Sequence, residues 1–302
     1  MASSFPNAKS KTIIVTGGAN GIGAQTVRTF HQNGSNVVIA DLPLAKAAAE
    51  ALISSLCDVS RALYVPTNIL NWADMKSLYR QTIERFGQVD IAVANAGAME
   101  SKDFFDLETD EDGDLKEPVE AYRIVNINLR GTMNTLRLAL HHMRSNPVSA
   151  DGSRGSVVLI ASTSGYFGGT SVVSYVASKH GVVGLFRASQ KAANRWNVRL
   201  NVVAPFFTPT HITGGYAEKW KERGLPANTV EGVADTIVQT STDSEKKGEC
   251  ILVAGKQTRE IELARTALVK EWVGEDTANL MAEGGKFFDE LGGYPLPKAT
   301  RD

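Results

Sequence analysis

Tyr175 and Lys179 stand four residues apart in "SYVASKH" (174–180), so on a helix both side chains leave from one face. A phenol with its ordinary pKa near ~10 is a poor base at neutral pH, and an ammonium beside it favours the phenolate. The pair therefore suits general acid–base work on an alcohol or carbonyl oxygen. Ser162 lies 13 residues upstream across a glycine-rich loop, and its hydroxyl is suited to hold a substrate oxygen opposite the tyrosine. Taken alone, YxxxK is also what any amphipathic helical turn can contain, so its setting decides the reading.

That setting begins with "TGGANGIG" (16–23), between an apolar run and the helical stretch "AQTVRTFHQNG". Gly17, Gly21 and Gly23 allow a tight turn, close approach to a pyrophosphate and helix-on-strand packing. The new helix N-terminus, with Asn20 and Ile22 in its approach, directs N–H groups at phosphate. The ligand expected is a dinucleotide. The loop lacks the GK[ST] ending of a nucleoside triphosphate site. Asp41 ends the second apolar run, 24 residues beyond Gly17, where a carboxylate accepts from adenosine ribose hydroxyls and repels a 2′-phosphate. Leu42, Pro43 and Leu44 follow without a cation, so NAD is expected over NADP. A cationic nicotinamide ring would add to the effect of Lys179 on Tyr175.

The elements that must position these residues are legible as runs of β-branched and aliphatic residues at 11–17, 35–41, 62–68, 89–97, 155–162, 198–205 and 248–255. Near-continuous apolar runs fit strands buried on both faces of a parallel sheet. Helical spacing lies between them, as from Trp72 through Met75, Leu78, Tyr79, Ile83 and Phe86 to a stop at Gly87. The expected fold class is α/β, one doubly wound parallel sheet of about seven strands with helices on both faces. Asn68 and Ile69 follow the third run, "NAGA" (95–98, with Asn95, Ala96 and Gly97) the fourth, and "ASTSG" (161–165) the fifth. All then fall at the carboxyl ends of strands, where ligands of such sheets bind. One domain is expected over 1–302, with 1–10 a tail and 256–302 an extension that opens with a helix near 257–271. The acidic segment 99–125 and that extension read as solvated additions or as parts of a substrate lid or subunit contact.

Bulk properties remove other classes. Lys plus Arg number 32 against 33 Asp plus Glu, with no long block of one sign, which disfavours a nucleic-acid binder. No apolar run approaches the ~20 residues of a membrane span, and the start lacks a secretory pattern, so a soluble cytoplasmic protein is expected. Cys57 and Cys250 have no metal-ligand spacing and read as buried reduced thiols. His141 and His142 near a helix end read as a charge-friendly last turn, and His180 and His211 lie near the proposed cleft. No metal is expected.

Together "TGGANGIG", Asp41, "NAG" (95–97), "NLRG" (128–131), Ser162 and "YVASK" (175–179) resemble the short-chain dehydrogenase/reductase family in its single-domain form, over about residues 11–255. The resemblance implies a Rossmann-type fold, Tyr175 as general acid/base, Lys179 assisting it and bonding the nicotinamide ribose, and Ser162 orienting substrate. It implies that Asn128 positions a proton-relay water, and that homodimers or homotetramers form through helices near 119–144 and 174–195. Asn68 stands where the family usually has an Asp near the adenine amino group. "APFFTPT" (204–210) puts Phe206 where glycine is common; Pro205, Thr208 and Thr210 of this stretch are assigned to the cofactor side. Pro-Phe with Asp41 is similar to NAD-dependent secondary-alcohol dehydrogenases of plant and fungal terpenoid or phenolic metabolism. Phe104, Phe105, Tyr166, Phe167, Phe206, Phe207, Tyr216 and Trp220 in the closing loops suggest a bulky apolar alcohol or ketone substrate. Two other classes compete: a non-catalytic dinucleotide sensor, which would be expected to lose one of the four polar residues, and an extended epimerase, which would show TGxxGxxG.

Overall fold

A computed structural model describes residues 5–169 and 171–297. The first four residues of the expected tail and 298–302 of the expected extension lie outside them. Two compact units divide the chain, Met1–Glu260 and Ile261–Asp302.

The first unit alternates strand and helix: β1 (Thr12–Thr16), α1 (Gly21–Gln32), β2 (Asn36–Asp41), α2 (Lys46–Ser54), β3 (Ala62–Pro66), α3 (Trp72–Phe86), β4 (Ile91–Ala94), α4 (Val119–Val125) and α5 (Gly131–Met143). It continues with β5 (Gly155–Ile160), α6 (Val173–Arg195), β6 (Val198–Pro205), α7 (Ala217–Glu222), α8 (Val230–Thr242), β7 (Cys250–Ala254) and β8 (Gln257–Glu260). Among the described residues the strands form one eight-stranded sheet in the order β3-β2-β1-β4-β5-β6-β7-β8. Every pairing is parallel except β7 with β8. The order reverses between β1 and β4, which opens a crevice at their carboxyl ends.

Strand alternation divides the core. Ile13, Val15, Val37, Ile39, Val93, Val158 and Val203 point to one face, where they pack with Val27 and Phe30 of α1 and Val233 and Ile237 of α8. The other face carries the buried Ile14, Val38, Ala92, Val157 and Leu159, against α3, α5 and α6. Each such aliphatic side chain contributes roughly 1.5–3 kcal/mol on full burial. Helix α3 has the expected limits: Asn71 caps its N-terminus by accepting from Ala73 and Asp74, and Gly87 follows with φ 88°.

Three expectations are corrected. Residues 257–260 are not the start of a helix: "QTRE" turns back after Gly255 (φ 62°) and pairs antiparallel with β7, so the sheet has eight strands rather than about seven. Within the expected tail, Pro6–Ala8 forms a 3-10 turn whose Ala8 is fully buried. Cys57 is exposed, beside His31 with Sγ 3.7 Å from Nδ1, and only Cys250 is buried. The segment 99–118 lacks helix and strand, apart from a Thr109–Leu115 bridge. The second unit contains α9 (Glu262–Ala267), α10 (Val269–Val273) and α11 (Glu275–Glu290). Among the described residues no helix is long and apolar enough to cross a membrane.

Candidate active site

A cavity of about 870 Å³ opens at the carboxyl ends of the strands in the first unit. Its wall begins at the turn between β1 and α1. Gly17 has φ +65°, and a Cβ there would lie 2.8 Å from the Ala96 Cα. A Cβ on Gly23 would lie 2.1 Å from the Gly17 carbonyl oxygen, so this position needs glycine for packing. Gly21 differs: at φ +52° its Cβ would meet only Thr210, at 3.6 Å, across open space. The turn is therefore closed towards the sheet and open towards the cavity. Helix α1 starts there, and its first-turn N–H groups, which have no intrahelical acceptors, face a site suited to a pyrophosphate. Asn20 and Ile22 line the same wall.

Asp41, at the end of β2, is tied to this turn: its Oδ2 accepts from Ala19 N at 3.0 Å and its Oδ1 from Leu42 N at 2.8 Å. Its flanking lining residues Leu42, Leu44 and Ala45 are uncharged. Asn68, exposed after β3, uses its Oδ1 to accept from Leu70 N at 3.0 Å, with Ile69 buried beside it. Asn95 joins strands as well as lining the cavity, since its Nδ2 donates to the carbonyls of Thr16 at 3.0 Å and Gly17 at 3.1 Å. Ala96 and Gly97 follow it on the wall, and Pro205, Thr208 and Thr210 face them from the loop after β6. A glycine cradle, a carboxylate one strand away and exposed N–H groups together fit a dinucleotide.

At the other end of the cavity stand Ser162, Tyr175 and Lys179. Ser162 links two strand ends, accepting from Ser164 N at 3.2 Å and donating to the Pro205 carbonyl at 3.4 Å. Lys179 is 5 % exposed, donates to the Ile160 carbonyl at 2.8 Å and lies 5.6 Å from the Tyr175 ring centroid. Burial lowers its pKa to about 8. Burial also pushes the Tyr175 phenol above its ordinary value; a hydrogen bond with Ser162 pulls the other way, and Tyr216 and Glu100 add to the rise. In the polypeptide itself the phenol thus stands above its ordinary value, loss of solvent being the largest cause.

Asn128 is the one expected catalytic residue that does not line the cavity. It is fully buried in a π-helical turn, Asn126–Arg130, between α4 and α5. Its Oδ1 accepts from Ala98 N at 2.8 Å, while Nδ2 donates to the Ala98 carbonyl and to Ser178 Oγ, both at 2.9 Å. The amide thereby fastens the strand-end segment after "NAG" to the helix of Tyr175.

Of the aromatic residues expected around a substrate, Phe206, Phe207, Tyr216 and Trp220 line the cavity. The Trp220 ring lies 4.4 Å from Phe207 and 5.6 Å from Phe206, centroid to centroid, and its Nε1 donates to the Pro226 carbonyl at 3.1 Å. Phe104, Phe105, Tyr166 and Phe167 are not on the wall: Phe105 and Phe167 are exposed, and Tyr166 lies under Arg187 at 5.5 Å. His211 lines the cavity, whereas His180 is exposed and His142 stacks on Tyr79 at 5.1 Å. Sequence reasoning missed Arg123, Ile127 and Val172, whereas Met99 and Ile212 lie in loops expected to close the pocket. Arg123 and Ile127 are one helical turn apart just before Asn128, a spacing that would have found them.

The sheet order, glycine turn and Ser–Tyr–Lys group define a dinucleotide-fold oxidoreductase, and comparison with known proteins agrees. A family profile described as short chain dehydrogenase matches residues 11–221, so the chain belongs to the short-chain dehydrogenase family. Among relatives, the short-chain dehydrogenase/reductase prx4 of Penicillium roqueforti is 30% identical over 291 residues, covering 89% of this chain and 82% of that protein. The short-chain dehydrogenase reductase 4 of Arabidopsis thaliana is 33% identical over 228 residues, covering 74% and 71%. The crystal structure of 3-hydroxyacyl-CoA dehydrogenase type-2 from Mycobacterium avium superposes with a TM-score of 0.72 at 28% identity, covering 83% of this chain and 97% of that one.

Proposed function

We propose that this protein is an NAD-dependent dehydrogenase that oxidises a secondary alcohol to a ketone on a bulky apolar metabolite of terpenoid, polyketide or phenolic type. One observation carries the reading: a single cavity has the glycine turn and Asp41 on its wall together with Ser162, Tyr175, Lys179 and four aromatic rings. A bound nicotinamide would supply the hydride acceptor. Ser162 would hold the substrate oxygen, and Tyr175 would take the hydroxyl proton. Lys179, charged below about pH 8, would favour the phenolate and bond the ribose. Asn128 would hold its family part, a proton-relay water, from the π-helical turn it occupies. In the reverse direction the same groups would deliver a proton to a ketone oxygen.

Asp41 would take the ribose hydroxyls and repel a 2′-phosphate, which favours NAD and, through the oxidised state of that pool, the oxidative direction. Gly17, Asn20, Gly21, Ile22, Gly23, Asn68, Ile69, Asn95, Ala96, Gly97, Pro205, Thr208 and Thr210 would form the rest of the cofactor wall. Dinucleotide binding and catalysis thus share one domain. The rings of Phe206, Phe207 and Trp220 support an apolar substrate. The similar structure from Mycobacterium avium is named for 3-hydroxyacyl-CoA, a hydroxyl-bearing substrate, which supports the alcohol class. Val119, Tyr122 and Met133 are exposed on α4 and α5, which supports a homodimer or homotetramer through these helices.

The test is a panel of bulky secondary alcohols with NAD or NADP, followed by reduced-nicotinamide absorbance, beside Asp41→Ser. Turnover with NAD at least tenfold above NADP, and a smaller ratio in Asp41→Ser, is expected. Equal use of both cofactors by the unaltered protein would overturn the cofactor assignment, and turnover confined to sugars or small acids would overturn the substrate class.

A further inference from the structure

The helix that carries Tyr175 begins without a cap of its own. Val172 stands at the N-cap position of α6 and has no side-chain acceptor for the first free amides. The acceptor comes instead from 74 residues upstream. Glu100 takes Ser174 N on Oε1 at 2.9 Å and Tyr175 N on Oε2 at 3.0 Å. A carboxylate shared between two amides at a positive helix end is a strong, oriented contact.

Glu100 belongs to a short stretch held on either side of it. Ala98 is bound through both backbone groups to Asn128, Met99 lines the cavity, and Ser101 donates through N and Oγ to Glu120 of α4 at 3.0 and 2.8 Å. The root of the 99–118 excursion is therefore fixed to both helices that frame the site. Other groups face Tyr175 as well: Lys179 from its own helix, Tyr216 from the segment before α7 and the Ser162 hydroxyl from the end of β5. Among them Glu100 supplies the negative charge, opposed to the Lys179 ammonium.

We propose that Glu100 is a positioning residue for Tyr175: its carboxylate takes the first free amides of α6 and seats the turn that carries the phenol. This rests on the reading of Tyr175 as the acid–base group, and it adds a role for a segment that sequence alone leaves as a solvated addition or as part of a lid or subunit contact. The charge of Glu100 raises the phenol, so removing it lets Tyr175 ionise at lower pH. A cap that acted by geometry alone would leave that midpoint unchanged.

The test compares Glu100→Gln, which removes the charge, with Glu100→Asp, which keeps it on a shorter arm. Tyr175 ionisation is read by tyrosinate absorbance, each protein being differenced against its own Tyr175→Phe counterpart. A midpoint displaced to lower pH in Glu100→Gln and retained in Glu100→Asp is expected, and the pH limb of kcat/KM moves with it. Equal midpoints in Glu100→Gln and the unaltered protein, or equal displacement in both variants, would overturn the charge role. Amide exchange at Ser174 and Tyr175 reads the seat itself and should be about tenfold faster or more in Glu100→Ala; unchanged exchange would overturn the seat. Neither the titration nor the exchange needs turnover, so a failure of the proposed reaction is told apart by Tyr175→Phe turning over like the unaltered protein.

Discussion

Lys179 keeps an ammonium where solvent is nearly absent, with one carbonyl, that of Ile160, accepting from it. Burial takes its pKa from 10.5 to about 8. Between those values the unfolded chain holds a proton that the folded protein has released, so folding stability rises with pH across that window. Below about pH 8 the whole penalty stands, roughly 3 kcal/mol. Lys179→Met has no such proton. Denaturant titrations from pH 7 to 10.5 should show a rising contribution in the unaltered protein that the variant lacks; parallel curves would refute this account of the buried charge. At this scale the sequence was informative about identity and spacing: Tyr175 and Lys179 were legible because four residues is about one helical turn, and Ser162 because it ends the strand run just upstream. Glu100 was not, because its role depends on contacts with residues 74 and 75 positions away.

At the scale of elements, the turn between β1 and α1 makes separable demands on its glycines. Gly23→Ala would place a methyl 2.1 Å from the Gly17 oxygen and should lower Tm and dinucleotide affinity together. Gly21→Ala meets nothing nearer than 3.6 Å, so the cost is chiefly that of a non-glycine residue at φ +52°, about 1–2 kcal/mol. Its methyl would stand on the cavity side, where it should reduce dinucleotide affinity at least tenfold while the protein stays folded. Thermal melts with dinucleotide titrations check both, and a Gly21→Ala protein that binds normally would contradict the placement of the phosphates. The strands were legible because burial on both faces leaves near-continuous apolar runs, as in "TIIVT" and "GSVVLI". Strand β8 was not, because "QTRE" carries no apolar signal and owes its conformation to pairing with β7. The aromatic wall was half legible: Phe206 and Phe207 follow a strand end directly, whereas Phe104 and Phe105 lie on an excursion whose path periodicity does not describe.

At the scale of the whole molecule, the reversal of strand order between β1 and β4 brings two kinds of residue to one crevice. The glycine turn and Asp41 arrive on one side of that reversal, and Ser162 and the α6 helix on the other. The central claim is that this convergence performs hydride transfer with Tyr175 handling the proton. The direct measurement is the rate of nicotinamide reduction on a true substrate by the unaltered protein and by Tyr175→Phe, with dinucleotide affinity determined for both. The phenol's loss should leave affinity intact and lower kcat by at least 10²-fold, the scale of general acid–base catalysis. Similar rates for the two proteins would contradict the account.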